Sequence, residues 1–302
     1  MKLALSARAK LSSRQIEELV RLGYETETFT DFPKKRFDVY IGYMEPLTVK
    51  ERYQGASFIH LLSAGYDKLD LDDLNKNKIF LTNSKGVYDA PIAEYALYCV
   101  LDYCKKGRFF SRQQENHIWM RVFPTAELQM LKIGILGTGS IATACAKRFK
   151  ALGSQVIGVN RTGRKAACFD SVYQIHQVDH FLSEVEVVIN TLPLNSDTRG
   201  LLDYHRLSCL KDSSALICVG RGKTLVEEDL RKILEKKNIE VYMDVFEKEP
   251  LEQGSWLYDC DNIHLTPHIS FSSSAAYQRM SDLAFENARR FIKKEQLINI
   301  VG

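Results

Sequence analysis

Three residues in the second half of the chain could combine anion binding with acid–base chemistry: Arg221, Glu249 and His268. Each closely follows an apolar run, Arg221 after SALICVG, Glu249 after VYMDVFEK and His268 after NIHLTP. If those runs are strands of one parallel sheet, all three residues fall on its carboxyl edge, where open α/β sheets bind ligands. An arginine there can hold a carboxylate and polarise an adjacent carbonyl, with a planar bidentate geometry that lysine lacks. A histidine can deliver a proton to the carbonyl oxygen as hydride reaches carbon. A carboxylate can orient the imidazole and stabilise its charged form, raising its pKa. Beside a nicotinamide the set would suit reduction of a 2-oxo acid. Spacing alone does not assign these roles. A single histidine after a strand is more often structural, a lone loop arginine is usually solvated, and EKEPLE reads equally as a surface loop.

The stretch that would supply the nicotinamide is Leu131–Arg164, LKIGILGTGSIATACAKRFKALGSQVIGVNRTGR. An apolar run, Ile133–Leu136, leads into Gly137-Thr138-Gly139-Ser140-Ile141-Ala142, a G-x-G-x-x-A turn. Ile141, Cys145, Phe149 and Leu152 then repeat at helical spacing, Gly153 ends the helix, and Val156–Val159 ends at Asn160-Arg161. Strand, glycine turn, helix and strand in this order form a dinucleotide-binding unit. Gly137 permits the tight turn, and Gly139 lets a pyrophosphate approach the backbone. The first helical N–H groups and the helix dipole suit phosphate.

The rest of the chain alternates in the same way. Lys2–Ser6, Phe37–Tyr43, Ser57–Ser63 and Lys78–Thr82 read as strands, and Ser12-Ser13-Arg14-Gln15 as a capping box opening a helix. Ala64 and Gly65 follow one of these strands directly and so sit at a carboxyl end. Ala90–Trp119 reads as one long helix, with Gly107 as the point where it would break. Its apolar face, including Tyr95, Ala96, Cys99 and Val100, suits burial between domains or a dimer contact. Strands are expected over Glu186–Thr191, Ser214–Val219, Glu240–Val245 and Ile263–Thr266. Thr224-Leu225-Val226-Glu227 should cap a helix running to Lys237, and Ser273–Lys294 should be the last helix. The expected fold class is α/β with parallel sheets.

Length and composition set outer limits. With 302 residues, about two domains are expected. A net charge of +3 gives no reason to expect nucleic acid. Seven scattered cysteines, with no C-x-x-C pair and no metal-ligand spacing, read as reduced thiols. MKLALSARAK lacks the apolar core of a signal peptide, and no segment is apolar for about 18 residues, so a cytoplasmic protein off the membrane is expected.

The sequence resembles the D-isomer-specific 2-hydroxyacid dehydrogenase family. The segments that carry the resemblance are SAGYDKLD, NSKGVYDAPIAEYAL, GILGTGSIA, NTLPLNSDTRGLL, VGRGKTLVEEDL, DVFEKEPL and LTPHIS, in family order over nearly the whole chain. The resemblance implies that Arg221, Glu249 and His268 are catalytic, with Arg221 and His268 also binding substrate. It places the substrate carboxylate on backbone N–H groups of Ala64 and Gly65. It implies cofactor contacts from Gly137 to Ile141, from Asn160, Arg161 and Thr162, and from Leu192, Pro193, Thr198 and Val219. Asp244 would meet the nicotinamide amide. The implied architecture is a Rossmann domain, 98–271, inserted in a flavodoxin-like substrate domain, 1–97 plus 272–302, with a cleft between them and homodimers formed through the Rossmann domain.

Several positions depart from the family pattern. NAD-preferring members end the second strand of the fingerprint with an acidic residue that binds the ribose 2′-OH. Here Asn160 stands there, followed by Arg161, with Arg164 and Lys165 close behind. Loss of the carboxylate removes repulsion, and Arg161 can pair with a 2′-phosphate, so NADP(H) is expected ahead of NAD(H). Cys218 replaces a frequent asparagine, and Phe271 follows where small residues are common, which leaves the choice of 2-oxo acid open. Glu249 argues against formate, since formate dehydrogenases carry glutamine there. Two further readings stay open: an NAD-linked dehydrogenase of a phosphorylated 2-hydroxy acid, and a dinucleotide-sensing corepressor-like scaffold.

Overall fold

The computed structural model describes residues 1–30, 36–44, 47, 53 and 55–301. Its elements run β1 (Lys2–Ser6), α1 (Ser13–Arg21), β2 (Glu25–Phe29), β3 (Val39–Gly42), β4 (Phe58–Leu61), α2 (Leu71–Lys76) and β5 (Phe80–Thr82). There follow α3 (Asp89–Lys105), α4 (Gly107–Glu115), β6 (Lys132–Leu136), α5 (Ser140–Ala151), β7 (Gln155–Asn160), β8 (Ser171–Gln174), α6 (Val178–Glu184) and β9 (Val187–Asn190). The chain continues through α7 (Tyr204–Ser208), β10 (Ala215–Cys218), α8 (Glu227–Leu234), β11 (Glu240–Met243), β12 (Ile263–Leu265), α9 (Ser274–Ile292) and β13 (Ile300–Val301).

Two compact units result, one of Met1–Tyr88 with Ser272–Gly302, the other of Asp89–Phe271. The division precedes α3 rather than cutting it at 97/98, because α3 is one unbroken helix that packs on α5 of the second unit. In the first unit the sheet order is β13-β5-β4-β3-β1-β2. Its parallel strands follow the flavodoxin-like order, and only β13 is antiparallel. The capping box forms as read: Gln15 N donates to Ser12 Oγ at 3.3 Å and Ser12 N to Gln15 Oε1 at 2.9 Å.

The second unit holds a seven-stranded sheet, β12-β11-β10-β9-β6-β7-β8, parallel throughout. This doubly wound order reverses between β6 and β9, and the crevice at that switch point is where such sheets take ligands. The central strands β9 and β10 are buried at every position, as parallel strands covered on both faces must be.

The structure departs from the sequence pattern at several points. The helix expected over 90–119 is two helices. Lys106 adopts the left-handed conformation between α3 and α4, and α4 ends at Glu115. On α3, Ala96, Cys99 and Val100 are buried, whereas Tyr98 and Leu101 are exposed. The helix after Arg221 starts at Glu227 with no side-chain cap. Thr224 does not cap it, because its hydroxyl donates to Arg221 O at 2.6 Å and accepts from Asn190 Nδ2 at 2.8 Å. The edge strands β2 and β8 carry no fully buried residue, so no apolar run marks them in the sequence. Among the described residues no helix is long and apolar enough to cross a membrane.

Candidate active site

The glycine turn joins β6 to α5 at the switch point. Gly137 has φ +97°, and a Cβ there would stand 2.9 Å from Thr191 Oγ1, so only glycine fits. A Cβ on Gly139 would meet nothing within 4 Å, so the chain's own packing does not demand that glycine. Open space over Gly139, with no side chain capping α5, is what a pyrophosphate needs at a helix N-terminus. Ala142 is fully buried beneath the turn, and the Ser140 hydroxyl donates to Asp89 Oδ1 at 3.1 Å. These residues fit a dinucleotide.

At the end of β7, Asn160 shapes the loop that follows. Its Nδ2 donates to Thr138 Oγ1 at 3.2 Å and to Arg164 O at 2.8 Å, and its Oδ1 accepts from Thr162 N at 3.1 Å. Arg161, Thr162, Arg164 and Lys165 are all exposed around it.

After β9, Leu192 is buried and its N–H reaches Asn190 Oδ1, while Pro193 is exposed. Thr198 is buried, with its hydroxyl donating to Pro193 O at 2.6 Å, so it closes this loop on itself. Val219 is buried at the end of β10 and donates its N–H to Asn190 O.

Arg221 leaves β10 between two tightly packed glycines. A Cβ on Gly220 would stand 2.5 Å from Leu192 O, and one on Gly222 1.9 Å from Phe246 C. Its Nη1 donates to Gly220 O at 2.9 Å, and Asn190 and Thr224 fix its carbonyl through the bonds described above. This buried relay was not expected. Asn190 lies within NTLPLNSDTRGLL, but nothing in the string reveals its partner.

Glu249 and His268 meet directly: Oε2 lies 2.7 Å from Nδ1. Glu249 Oε1 accepts from Phe246 N at 3.0 Å, which fixes the carboxylate from its other side. Burial favours the protonated acid, but His268, the Phe246 N–H and the Arg221 charge outweigh it and hold Glu249 below the usual carboxylate value. The loop is also clasped to α8. Glu227 N donates to Glu247 Oε1 at 2.8 Å, and Glu247 N to Glu227 Oε1 at 2.7 Å. The His268 side chain keeps 41 % of its surface exposed, and its ring meets Phe271 edge-on at 5.9 Å.

Asp244, expected at the nicotinamide amide, is held by the chain's own donors. It is fully buried, and its carboxylate accepts from Thr266 Oγ1 at 2.7 Å, Ile269 N at 2.8 Å and Ser270 N at 3.0 Å. Both oxygens therefore serve the loop that carries His268. Tyr95 on α3, read only as part of an apolar face, joins this set by a 2.7 Å bond to Thr266 Oγ1. Cys218 is buried, and burial pushes its thiol up to about 12, which leaves it an inert core residue.

Ala64 and Gly65 belong to the first unit. Their carbonyls accept from Asn83 Nδ2 at 2.7 Å and Ser63 Oγ at 2.9 Å, and among the described residues their N–H groups have no acceptor.

Residues 97–270 match the family described as D-isomer specific 2-hydroxyacid dehydrogenase, NAD binding domain. The chain is 28 % identical over 273 residues to a glyoxylate reductase of Pyrococcus horikoshii, covering 86 % of this chain and 81 % of that one. A crystal structure of a family protein from Aeromonas salmonicida superposes with a TM-score of 0.85 at 26 % identity, covering 100 % and 98 % of the two chains. One from Xanthobacter autotrophicus, in complex with NADPH and MES, gives 0.83 at 26 % identity and the same coverage.

Proposed function

From the premise that the chain belongs to the D-isomer-specific 2-hydroxyacid dehydrogenase family and is a nicotinamide-dependent oxidoreductase, we propose that it uses NADPH to reduce a small 2-oxo acid to the D-2-hydroxy acid. The bound nicotinamide supplies the hydride. Arg221 binds the substrate carboxylate and polarises the carbonyl. His268 gives its proton to the developing alkoxide, and Glu249 orients the ring through Nδ1 and balances its charge. In the first unit, the Ala64 and Gly65 N–H groups suit a carboxylate. The observation that carries this reading is the 2.7 Å contact between His268 Nδ1 and a Glu249 held as carboxylate.

Glyoxylate and hydroxypyruvate are the first substrates to assay, since the Pyrococcus relative is named a glyoxylate reductase. The preference for NADPH rests on Asn160 where a carboxylate would repel the 2′-phosphate, and on exposed Arg161 beside it. A homodimer is proposed through the second unit, where Trp119 and Phe123 are 90 % and 79 % exposed. Seven free cysteines suit the reducing cytoplasm.

The test is NADPH oxidation over a panel of 2-oxo acids, with phosphorylated acids included. His268→Ala should lower kcat by about 10² to 10⁴, and Arg221→Ala should harm both KM and kcat. Near-native turnover by His268→Ala would refute the assigned role. Tight dinucleotide binding without turnover on any acid would favour a sensing scaffold instead.

A further inference from the structure

Cysteine spacing gave no reason to expect a metal, yet the fold assembles a ligand set from two helices. His205 and Cys209 stand four residues apart at α7, one above the other on a single face. Asp179, in the first turn of α6, comes up beside them. One ligand atom from each of the three residues lies within 4.8 Å of the other two, and this is the only such trio among the described residues. His205 Nε2 is 3.1 Å from Asp179 Oδ2. Two ligands at about 2.0 Å from a tetrahedral zinc ion stand roughly 3.3 Å apart, so this pair already has the separation an ion between them would impose.

The other oxygen of the carboxylate is engaged on the far side: among the described residues Asp179 Oδ1 makes no hydrogen bond but forms an ion pair with Arg206, and the side chain as a whole is 45 % exposed. Oδ1 faces Arg206 Nε at 3.4 Å, outside good bonding geometry. The guanidinium thus holds the carboxylate from behind while Oδ2 is turned to His205. His205 itself is 73 % exposed, which leaves an open approach.

We propose that Asp179, His205 and Cys209 form a binding site for a borderline-soft divalent transition metal ion, zinc(II) above all, with the fourth position left to solvent. An oxygen, a nitrogen and a sulfur ligand select zinc over magnesium or calcium, which take oxygen. A thiol ligates a metal as thiolate, so metal entry at Cys209 releases the thiol proton to solvent. Arg206 and Lys237 oppose the incoming cation, so the site is weaker than a structural zinc centre. Occupied, it would tie α6 to α7 and stabilise the dinucleotide-binding unit by mass action.

The experiment is calorimetric titration of the chelator-treated full chain with zinc, paired with cobalt(II) absorption. One saturable equivalent and a thiolate-to-cobalt charge-transfer band are expected. His205→Gln and Cys209→Ser should each weaken binding by about 100-fold or more, and Cys209→Ser should abolish the band. His205 is exposed enough that its replacement leaves the fold intact, which circular dichroism checks. A Cys168→Ser/Cys260→Ser chain should bind as before. Absence of saturable binding, or its persistence in either ligand variant, overturns the proposal. The readouts are heat and spectrum, so they stand apart from the reductase reading.

Discussion

The carboxylate of Asp244 accepts the backbone N–H of Ile269 at 2.8 Å, immediately beyond the catalytic candidate His268. The same carboxylate holds Thr266 on the near side and Ser270 on the far side. His268 lies between these anchors in the left-handed conformation, φ +51°, a strained region for a residue with a Cβ. The bonds on either side are what keep the imidazole aimed at Glu249.

Asp244→Asn should therefore act on kcat through geometry. The amide keeps one acceptor but turns an N–H₂ toward donors. A loss of about 10- to 100-fold in kcat is expected, since small misplacements of reacting groups have that scale. KM for NADPH should stay nearly unchanged. A rise in cofactor KM with kcat intact would return Asp244 to the nicotinamide contact that the family resemblance implies.

Cofactor choice can be tested at the end of β7. Asn160→Asp keeps the acceptor for Thr162 N but loses both donated bonds, to Thr138 and Arg164. It also places a negative charge where the 2′-phosphate is proposed to bind. NADPH should suffer at least about tenfold more than NADH in kcat/KM, a difference near 1.4 kcal/mol. If only the loop bonds matter, both cofactors decline by the same factor, and steady-state kinetics with each will separate the two cases.

Much of this site could be read from the chain because its parts are local. The glycine turn, the strands that precede Arg221 and His268, and the helix after Gly139 are each set by adjacent residues. What escaped is non-local or edge-exposed. Thr224 looked like a cap because its partner Asn190, 34 residues away, cannot be seen from the motif. Tyr95 was one apolar position among several until Thr266 met it from 171 residues away. β2 and β8 lack buried positions because they lie at sheet edges. Asp244 was assigned through family likeness, whereas its bonds depend on a loop whose path no periodicity encodes.

The first unit should show an acid-sensitive stability centred on His60. The ring is fully buried on β4, and burial lowers its pKa to about 3 from an ordinary value of 6.5. Nδ1 lies 2.8 Å from Thr82 Oγ1, and Nε2 has no partner among the described residues. Between pH 6.5 and 3 the unfolded chain binds a proton that the folded chain refuses. Stability is then complete above 6.5 and is lost as pH falls, by about 1.4 kcal/mol per unit from this one group. Opening free energies from hydrogen exchange at β4 amides should show that slope, and His60→Asn should remove it whatever its effect at neutral pH. An unchanged slope in the variant would assign the acid response to other groups.

The segment after α4 leaves large apolar side chains uncovered. Ile118, Trp119, Met120 and Phe123 are 51 %, 90 %, 47 % and 79 % exposed within 6 positions of one another. Soluble monomers rarely leave so much contiguous apolar surface uncovered. Large aromatic side chains at the centre of an interface carry most of its energy, with losses of about 2 kcal/mol or more on truncation. Sedimentation should show the wild-type chain as a dimer at micromolar concentration. Trp119→Ser with Phe123→Ser should shift it to monomer, with at least about 30-fold weaker association. These residues are exposed in the single chain, so the variant should keep its fold and its dinucleotide affinity. A wild-type monomer, or a dimer indifferent to both substitutions, would remove this surface from the assembly.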